Sequence, residues 1–138
     1  MQRILFVCAG NTCRSVMAEY IAQRRFQNSV EATSAGVQPG SINDTASAVF
    51  TLKQVGIDAT SHKPRDVREM NLSEFDLIVT MDNDVARELK QLFPALPNDR
   101  VIKWRINDPY GDDLEEYDRC AKVIYRELKK LLSRAEGP

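Results

Sequence analysis

The chain has 138 residues, of which 43% are hydrophobic and 28% are charged, a composition typical of one globular domain. We therefore expect a single domain over residues 1–138. The formal net charge of −1 argues against nucleic acid or an anionic membrane surface as a partner. The short N-terminal apolar run has the features of neither a signal peptide nor a membrane span, so we expect the protein in the cytoplasm. We also expect it to be a monomer.

Strand-like and helix-like segments alternate along the chain. Apolar runs predict buried strands at residues 3–7, 30–35, 76–81 and 101–104, with a further strand-like position at Ile57. Helical periodicity covers about 15–26, 43–56, 83–93 and 114–132, with Asn43 or Asp44 as the N-cap of the second helix. Because parallel strands need crossover connections, this order predicts an α/β fold with a four-stranded parallel sheet and helices on both faces.

The loop after the first strand predicts a site for an anion. A strand, a tight polar loop and a helix N-terminus direct backbone amides and the positive end of the helix dipole at one point. The guanidinium of Arg14 can hold two oxygens of a phosphate at once. We expect a phosphate-binding loop made of Ala9, Gly10, Asn11, Thr12, Cys13, Arg14 and Ser15.

Cys8 ends the first strand at the bottom of this loop. A helix N-terminus and a nearby arginine favour the thiolate form of a cysteine, and a thiolate under a phosphate is a nucleophile for phosphorus. Ser15 can donate its hydroxyl to the sulfur. A lone cysteine at a strand end is more often a small buried hydrophobe. Five residues, including Gly10 and Asn11, separate Cys8 from Arg14, and this spacing favours the catalytic interpretation.

The other cysteines predict redox chemistry rather than metal binding. Cys8, Cys13 and Cys120 lack the spacing of a zinc site, and the single histidine, His62, is distant in sequence. We expect neither a metal nor a cofactor. Cys13 lies in the same loop as Cys8, so it is a candidate redox partner that traps oxidised Cys8 as a reversible disulfide.

Asp108 is the candidate general acid. Hydrolysis through a cysteinyl phosphate needs an acid for the leaving group and then a base for water. Cys8 and Asp108 both follow predicted strands, and the carboxyl ends of parallel strands meet at one edge of the sheet. The alternatives are that Asp108 belongs to an ordinary turn before Pro109, or that Asp112 or Asp113 is the acid; these two we interpret as solvated charges at a helix N-terminus.

The segment 7–15, VCAGNTCRS, resembles the signature of the low-molecular-weight protein phosphatase family, V-C-x-G-N-x-C-R-S. The resemblance implies a cysteine-dependent phosphatase spanning essentially the whole chain and acting on phosphorylated proteins. It places the general acid in a D-P-aromatic motif, which Asp108 matches. It also implies that Ser34 and His62 brace the conformation of Asn11, and that Thr12, Gln38 and Tyr110 form the substrate entrance.

The resemblance implies phosphotyrosine as the substrate, and Thr12 suggests phosphoarginine as the alternative. Phosphotyrosine enzymes of the family commonly have Ile at the position of Thr12, whereas the arginine phosphatases share G-N-T-C-R-S with this chain. The aromatic residue that many phosphotyrosine enzymes carry after Ser-Ala-Gly is replaced here by Gln38.

Two further functions compete with protein dephosphorylation. Related folds reduce arsenate; the thioredoxin-linked version needs a cysteine pair after the third strand, where residues 81–84 have none, but a version that uses an external thiol stays open. A silent phosphate-binding module is the other alternative. The joint presence of Cys8, Arg14 and Asp108 argues against it.

Overall fold

A computed structural model describes the backbone of residues 1–135 and the side chains of residues 1–133. The sheet contains four parallel strands in the order β2-β1-β3-β4. Their bounds are Gln2–Cys8 for β1, Val30–Gly36 for β2, Leu77–Thr80 for β3 and Val101–Lys103 for β4. The predicted four-stranded parallel sheet is therefore confirmed.

Four α-helices connect and follow these strands: α1 Arg14–Arg25, α2 Ala46–Gln54, α3 Asn83–Leu92 and α4 Leu114–Ala135. The second helix begins later than predicted, because a 3-10 turn at Ile42–Thr45, capped by Ser41, precedes it. The predicted strand-like character of Ile57 is wrong. Its amide donates to the carbonyl of Leu52 and so belongs to the C-terminal end of α2, where Gly56 takes a positive φ of 80°.

Side chains of β1 alternate between the two faces of the sheet, and both faces are apolar. Ile4 and Phe6 pack into a cluster with residues of α1, α2 and α4, whereas Leu5 and Val7 pack into a second cluster with residues of α3. All four are fully buried, each stabilising the fold by about 1.5–3 kcal/mol. The predicted placement of helices on both faces is confirmed.

The strand order places the end of β1 at the centre of the sheet. The chain leaves β1 for β2 on one side and then crosses to β3 on the other, so β1 is where the direction of winding changes. Ligands of open α/β sheets bind at the carboxyl ends of strands near such a point. Cys8 is the last residue of β1. None of the helices within residues 1–135 is long and apolar enough to cross a membrane.

Candidate active site

The sulfur of Cys8 lies at the N-terminal end of α1, under the loop that joins β1 to this helix. Cys8 is buried, and its Sγ accepts a hydrogen bond from the amide of Asn11 at 3.3 Å. Ser15 Oγ is 2.9 Å from Cys8 Sγ. Because Ser15 Oγ already accepts from Asn11 Nδ2 at 2.8 Å, its own hydrogen is free to point at the sulfur. These two donors and the N-terminal end of α1 are directed at the Cys8 sulfur.

Asn11 shapes the loop by taking a left-handed conformation, with φ of 55°, the one positive φ at a non-glycine residue within the described chain. Its side chain donates to Ser34 Oγ at 2.8 Å and accepts from the amide of Arg65 at 2.8 Å. His62 Nε2 lies 3.1 Å from the carbonyl oxygen of Asn11. A carbonyl only accepts, so Nε2 carries the proton. Burial lowers the pKa of His62, which keeps the ring neutral.

A buried carboxylate, Glu19, lies beneath this loop. Ser34 Oγ donates to Glu19 Oε1, and Arg65 Nη1 is 3.2 Å from the same oxygen. Only 3% of Glu19 is exposed, and a buried charge needs partners of this kind. Glu19 and Arg65 could not be singled out from the sequence, because they are 46 residues apart and come together only in the fold.

The guanidinium group of Arg14 is held in place by hydrogen bonds to Asp82 and Ile106. Its Nη1 donates to Asp82 Oδ2 and to the carbonyl of Ile106, both at 2.8 Å, and 2% of the residue is exposed. Nη2 lies 3.7 Å from Asp108 Oδ2. Burial opposes ionisation of Asp82, but hydrogen bonds from the Val85 amide and from Arg14 lower its pKa overall. The guanidinium therefore has an ionised partner that sets its direction.

Two glycines make room for the loop. A Cβ on Gly36 would lie 2.7 Å from the carbonyl oxygen of Ala9 and 2.9 Å from the amide nitrogen of Asn11, closer than side chains approach. A Cβ on Gly40 would lie 3.0 Å from Thr12 Cγ2. The loop therefore packs directly on the backbone at the end of β2.

A cavity of about 250 Å³ opens above the loop. Tyr110, which is 57% exposed, stands at its mouth and donates from Oη to Asp44 Oδ1 at 3.2 Å. Gln38 is held there by a hydrogen bond to Glu88 at 3.0 Å. The lining consists of Cys8, Ala9, Gly10, Thr12, Cys13, Arg14, Gln38, Gly40, Asp44, Asp108 and Tyr110.

Cys13 lies beside the cavity and contacts α4. Its Sγ is 3.1 Å from Tyr117 Oη and 3.6 Å from Thr12 Oγ1. Burial raises the pKa of Cys13, and burial raises the pKa of Cys120 to about 12, so both are thiols at neutral pH. The described side chains contain no group of three His, Cys, Asp or Glu residues arranged to hold a metal ion.

The structure brings most of the predicted site residues to one place. The loop residues 8–15 surround the cavity floor or support it, Gln38, Asp108 and Tyr110 line the cavity, and Ser34 and His62 contact Asn11 below it. Asp112 and Asp113 are outside the lining. The Oδ1 of Asp113 instead accepts from the amide of Glu116 at the start of α4. Residues not predicted from the sequence are Glu19, Gly36, Gly40, Asp44, Arg65, Asp82 and Tyr117.

Solved structures with this fold include several phosphatases. The YwlE arginine phosphatase of Geobacillus stearothermophilus superimposes with a TM-score of 0.88 at 26% identity, over 99% of this chain and 94% of the other. A low molecular weight protein tyrosine phosphatase of T. tengcongensis gives a TM-score of 0.86 at 33% identity, over 97% and 99%.

The sequence comparisons agree in family and differ in activity. Arsenate reductase 2 of Staphylococcus saprophyticus is 32% identical over 127 residues, which are 92% of this chain and 93% of that protein. The family model for low molecular weight phosphotyrosine protein phosphatases matches residues 3–136. With the loop geometry, this match shows that the chain is a phosphohydrolase enzyme of the low molecular weight phosphotyrosine protein phosphatase family.

Proposed function

We propose that this protein is a phosphatase that hydrolyses phosphorylated side chains of proteins through a cysteinyl phosphate. The observation that carries the proposal is the arrangement of Cys8, Arg14 and Asp108 around one cavity. The thiolate of Cys8 attacks phosphorus and forms the S–P bond, while Arg14 and the loop amides hold the phosphate oxygens. The bond to the leaving group breaks, and Asp108 gives its proton to that group.

The second step returns the enzyme to its starting state. The Asp108 carboxylate takes a proton from water, the resulting nucleophile attacks phosphorus, and the S–P bond breaks. The departing thiolate is stabilised by Ser15 Oγ at 2.9 Å and by the Asn11 amide at 3.3 Å. The products are the dephosphorylated protein and inorganic phosphate.

The walls of the cavity favour phosphoarginine as the substrate. Tyr110 is the one aromatic residue in the lining, and the other side walls include the hydroxyl of Thr12, the amide of Gln38 and the carboxylate of Asp44. Backbone and side-chain hydrogen bonds from Ser41 lower the pKa of Asp44, which keeps it ionised. A guanidinium group offers donors to such acceptors, whereas a phenyl ring offers none. The fold neighbour described as an arginine phosphatase supports this choice.

Phosphotyrosine is the second candidate. The exposed ring of Tyr110 can stack on an aromatic leaving group, and the tyrosine phosphatase of T. tengcongensis is 33% identical to this chain.

Arsenate reduction with an external thiol is a third candidate, because the loop suits a tetrahedral oxyanion. Two arsenate reductases that are 31% and 32% identical to this chain support it. Arsenate reduction without an external thiol would need a cysteine pair after β3, and residues 81–84 of this chain contain no cysteine.

One set of assays separates these functions. Purified protein is tested with phosphoarginine and phosphotyrosine peptides of identical flanking sequence, with para-nitrophenyl phosphate, and with arsenate plus glutathione. We expect release of phosphate from the peptides, with the higher kcat/KM for phosphoarginine. Arsenite production without peptide dephosphorylation would assign the protein to arsenate reduction, and binding of phosphate without any turnover would make it a binding module.

Replacing Thr12 with isoleucine should change the choice of substrate. The variant removes a hydroxyl from the cavity lining, and a neutral hydrogen bond is worth up to about 1.5 kcal/mol, so we expect kcat/KM to shift toward phosphotyrosine by about tenfold relative to phosphoarginine. Thr12→Val, which keeps the shape and loses the hydroxyl, is the matched control for side-chain volume. An unchanged ratio in both variants means that Thr12 does not select the substrate.

Mild peroxide should inactivate the enzyme reversibly by joining Cys8 to Cys13. Both line the cavity, and the thiolate-forming cysteine is oxidised first. In Cys13→Ser, basal activity should stay within about twofold, yet dithiothreitol should no longer restore activity after peroxide. Cys120→Ser is the control and should behave as the unchanged protein does. Peptide mapping that finds Cys120 in the disulfide contradicts this prediction.

A further inference from the structure

We infer that Asp44 is a positioning residue that fastens the loop carrying Asp108 across the cavity by binding the hydroxyl of Tyr110. The inference rests on the proposed role of Asp108 as general acid. Asp44 and Tyr110 are 66 residues apart in the chain and meet at the mouth of the cavity.

The Asp44 end of this link is rigid. Asp44 Oδ2 accepts from the amide of Ser41 at 3.1 Å and from its hydroxyl at 3.2 Å, which closes the 3-10 turn Ile42–Thr45. Thr45 in the same turn donates to the carbonyl of Ile42 at 2.6 Å and is buried. The other oxygen, Oδ1, is therefore held in a set direction, and this oxygen accepts from Tyr110 Oη at 3.2 Å.

The Asp108 end depends on the link. Tyr110 donates its amide to Asp108 Oδ1 at 3.0 Å, so the residue that Asp44 holds is also the one that orients the carboxylate. Asp108 is otherwise loosely placed: its side chain is 46% exposed, and its contact with Arg14 Nη2 is long, at 3.7 Å. Gly111, which follows Tyr110, has a φ of 82° and lies in a turn where the amide of Asp112 donates to the carbonyl of Pro109.

A proton donor works only when it lies within hydrogen-bond distance of the leaving group. A half-exposed carboxylate on an irregular loop samples many positions. Each hydrogen bond to the loop reduces the range of positions that the carboxylate samples. The path from Ser41 through Asp44 and Tyr110 to Asp108 connects one wall of the cavity to the other. Loss of the link should therefore weaken proton donation and leave the loop that holds phosphate intact.

The test compares kcat/KM for phenyl phosphate, a poor leaving group, with kcat/KM for para-nitrophenyl phosphate, a good one. This constant reports the steps up to departure of the leaving group. We expect Tyr110→Phe and Asp44→Ala each to lower it about fivefold for phenyl phosphate and less than about twofold for para-nitrophenyl phosphate. The double variant should lose no more than either single variant, because both remove the same link.

Asp58→Ala is the matched control, since Asp58 is an aspartate that also accepts from a backbone amide, that of Thr60, and is not part of the cavity lining. It should change neither constant. Equal losses on both substrates, or losses that add in the double variant, would overturn the inference. Tyr110→Phe keeps the ring and tests the link even if Asp44→Ala folds poorly.

Asp108→Asn in the same assays separates failure of this inference from failure of the proposed acid. We expect about a 100-fold loss on phenyl phosphate and a much smaller one on para-nitrophenyl phosphate. If Asp108→Asn shows that pattern and the Tyr110 and Asp44 variants do not, the link is wrong and the acid stands. If Asp108→Asn affects both substrates equally, the assigned acid and the link both fall.

Discussion

Cys8→Ser should lower kcat by about 10⁵-fold or more while the protein still binds inorganic phosphate. A serine hydroxyl is a much weaker acid than a thiol, so it supplies almost no nucleophilic anion at neutral pH. The groups that we propose to hold phosphate, the loop amides and Arg14, should be unaffected, because Arg14 is fixed by Asp82 and Ile106.

Two measurements check this expectation. Steady-state turnover of para-nitrophenyl phosphate reports the loss, and titration calorimetry with inorganic phosphate reports binding. Cys120→Ser exchanges the same atoms at a buried position on α4 and should keep activity within about twofold. Substantial turnover by Cys8→Ser would show that the nucleophile lies elsewhere.

The first strand and its loop could be predicted from the sequence because their information is local. Four consecutive apolar residues before the loop indicate a strand buried on both faces, and β1 has that environment, with Ile4, Leu5, Phe6 and Val7 all inaccessible. The helix that follows, α1, starts at Arg14, the arginine of the loop motif. Strand, loop and helix are contiguous, so no long-range contact is needed to infer their order.

The supports of the loop could not be predicted, because they come from distant segments. Asp82 reads as a helix N-cap, and its Oδ1 does accept from the Val85 amide, yet its Oδ2 binds Arg14, 68 residues away. Asp44 likewise reads as part of a helix start. In Asp82 and in Asp44, one carboxylate oxygen accepts from a backbone amide close by in the sequence. The other oxygen binds a side chain from a distant segment.

Gly36 shows a second reason why part of the site could not be predicted from the sequence. Its residue type suggests only that a strand ends there, and its φ is not in the left-handed region. The reason for glycine is the parallel register that sets it beside Cys8, where the loop backbone occupies the space of a side chain. Register between strands that are adjacent only in the fold cannot be read from one sequence.

Arg14→Lys should lower kcat by about 10³-fold without unfolding the protein. Lysine keeps one positive charge but loses the planar fork that can hold two phosphate oxygens while a third nitrogen stays on Asp82. Charge stabilisation by an arginine in phosphoryl transfer is worth about 10³–10⁵-fold in kcat. In the structure Nη1 is committed to Asp82 and Ile106, whereas Nε has no partner among the described side chains and Nη2 faces Asp108.

The nitrogens left without a close partner are thus the ones available to the phosphate. The ammonium group of a lysine cannot bind Asp82 and the phosphate at the same time, because a lysine that stays with Asp82 loses the phosphate contact. The measurement is kcat with para-nitrophenyl phosphate, together with the thermal midpoint of unfolding. Arg25→Lys, on the last turn of the same helix and hydrogen-bonded to the carbonyl of Val55, is the matched control and should retain activity. A loss below about tenfold for Arg14→Lys, with normal stability, would show that point charge alone suffices and that the fork of Arg14 is not used in the transition state.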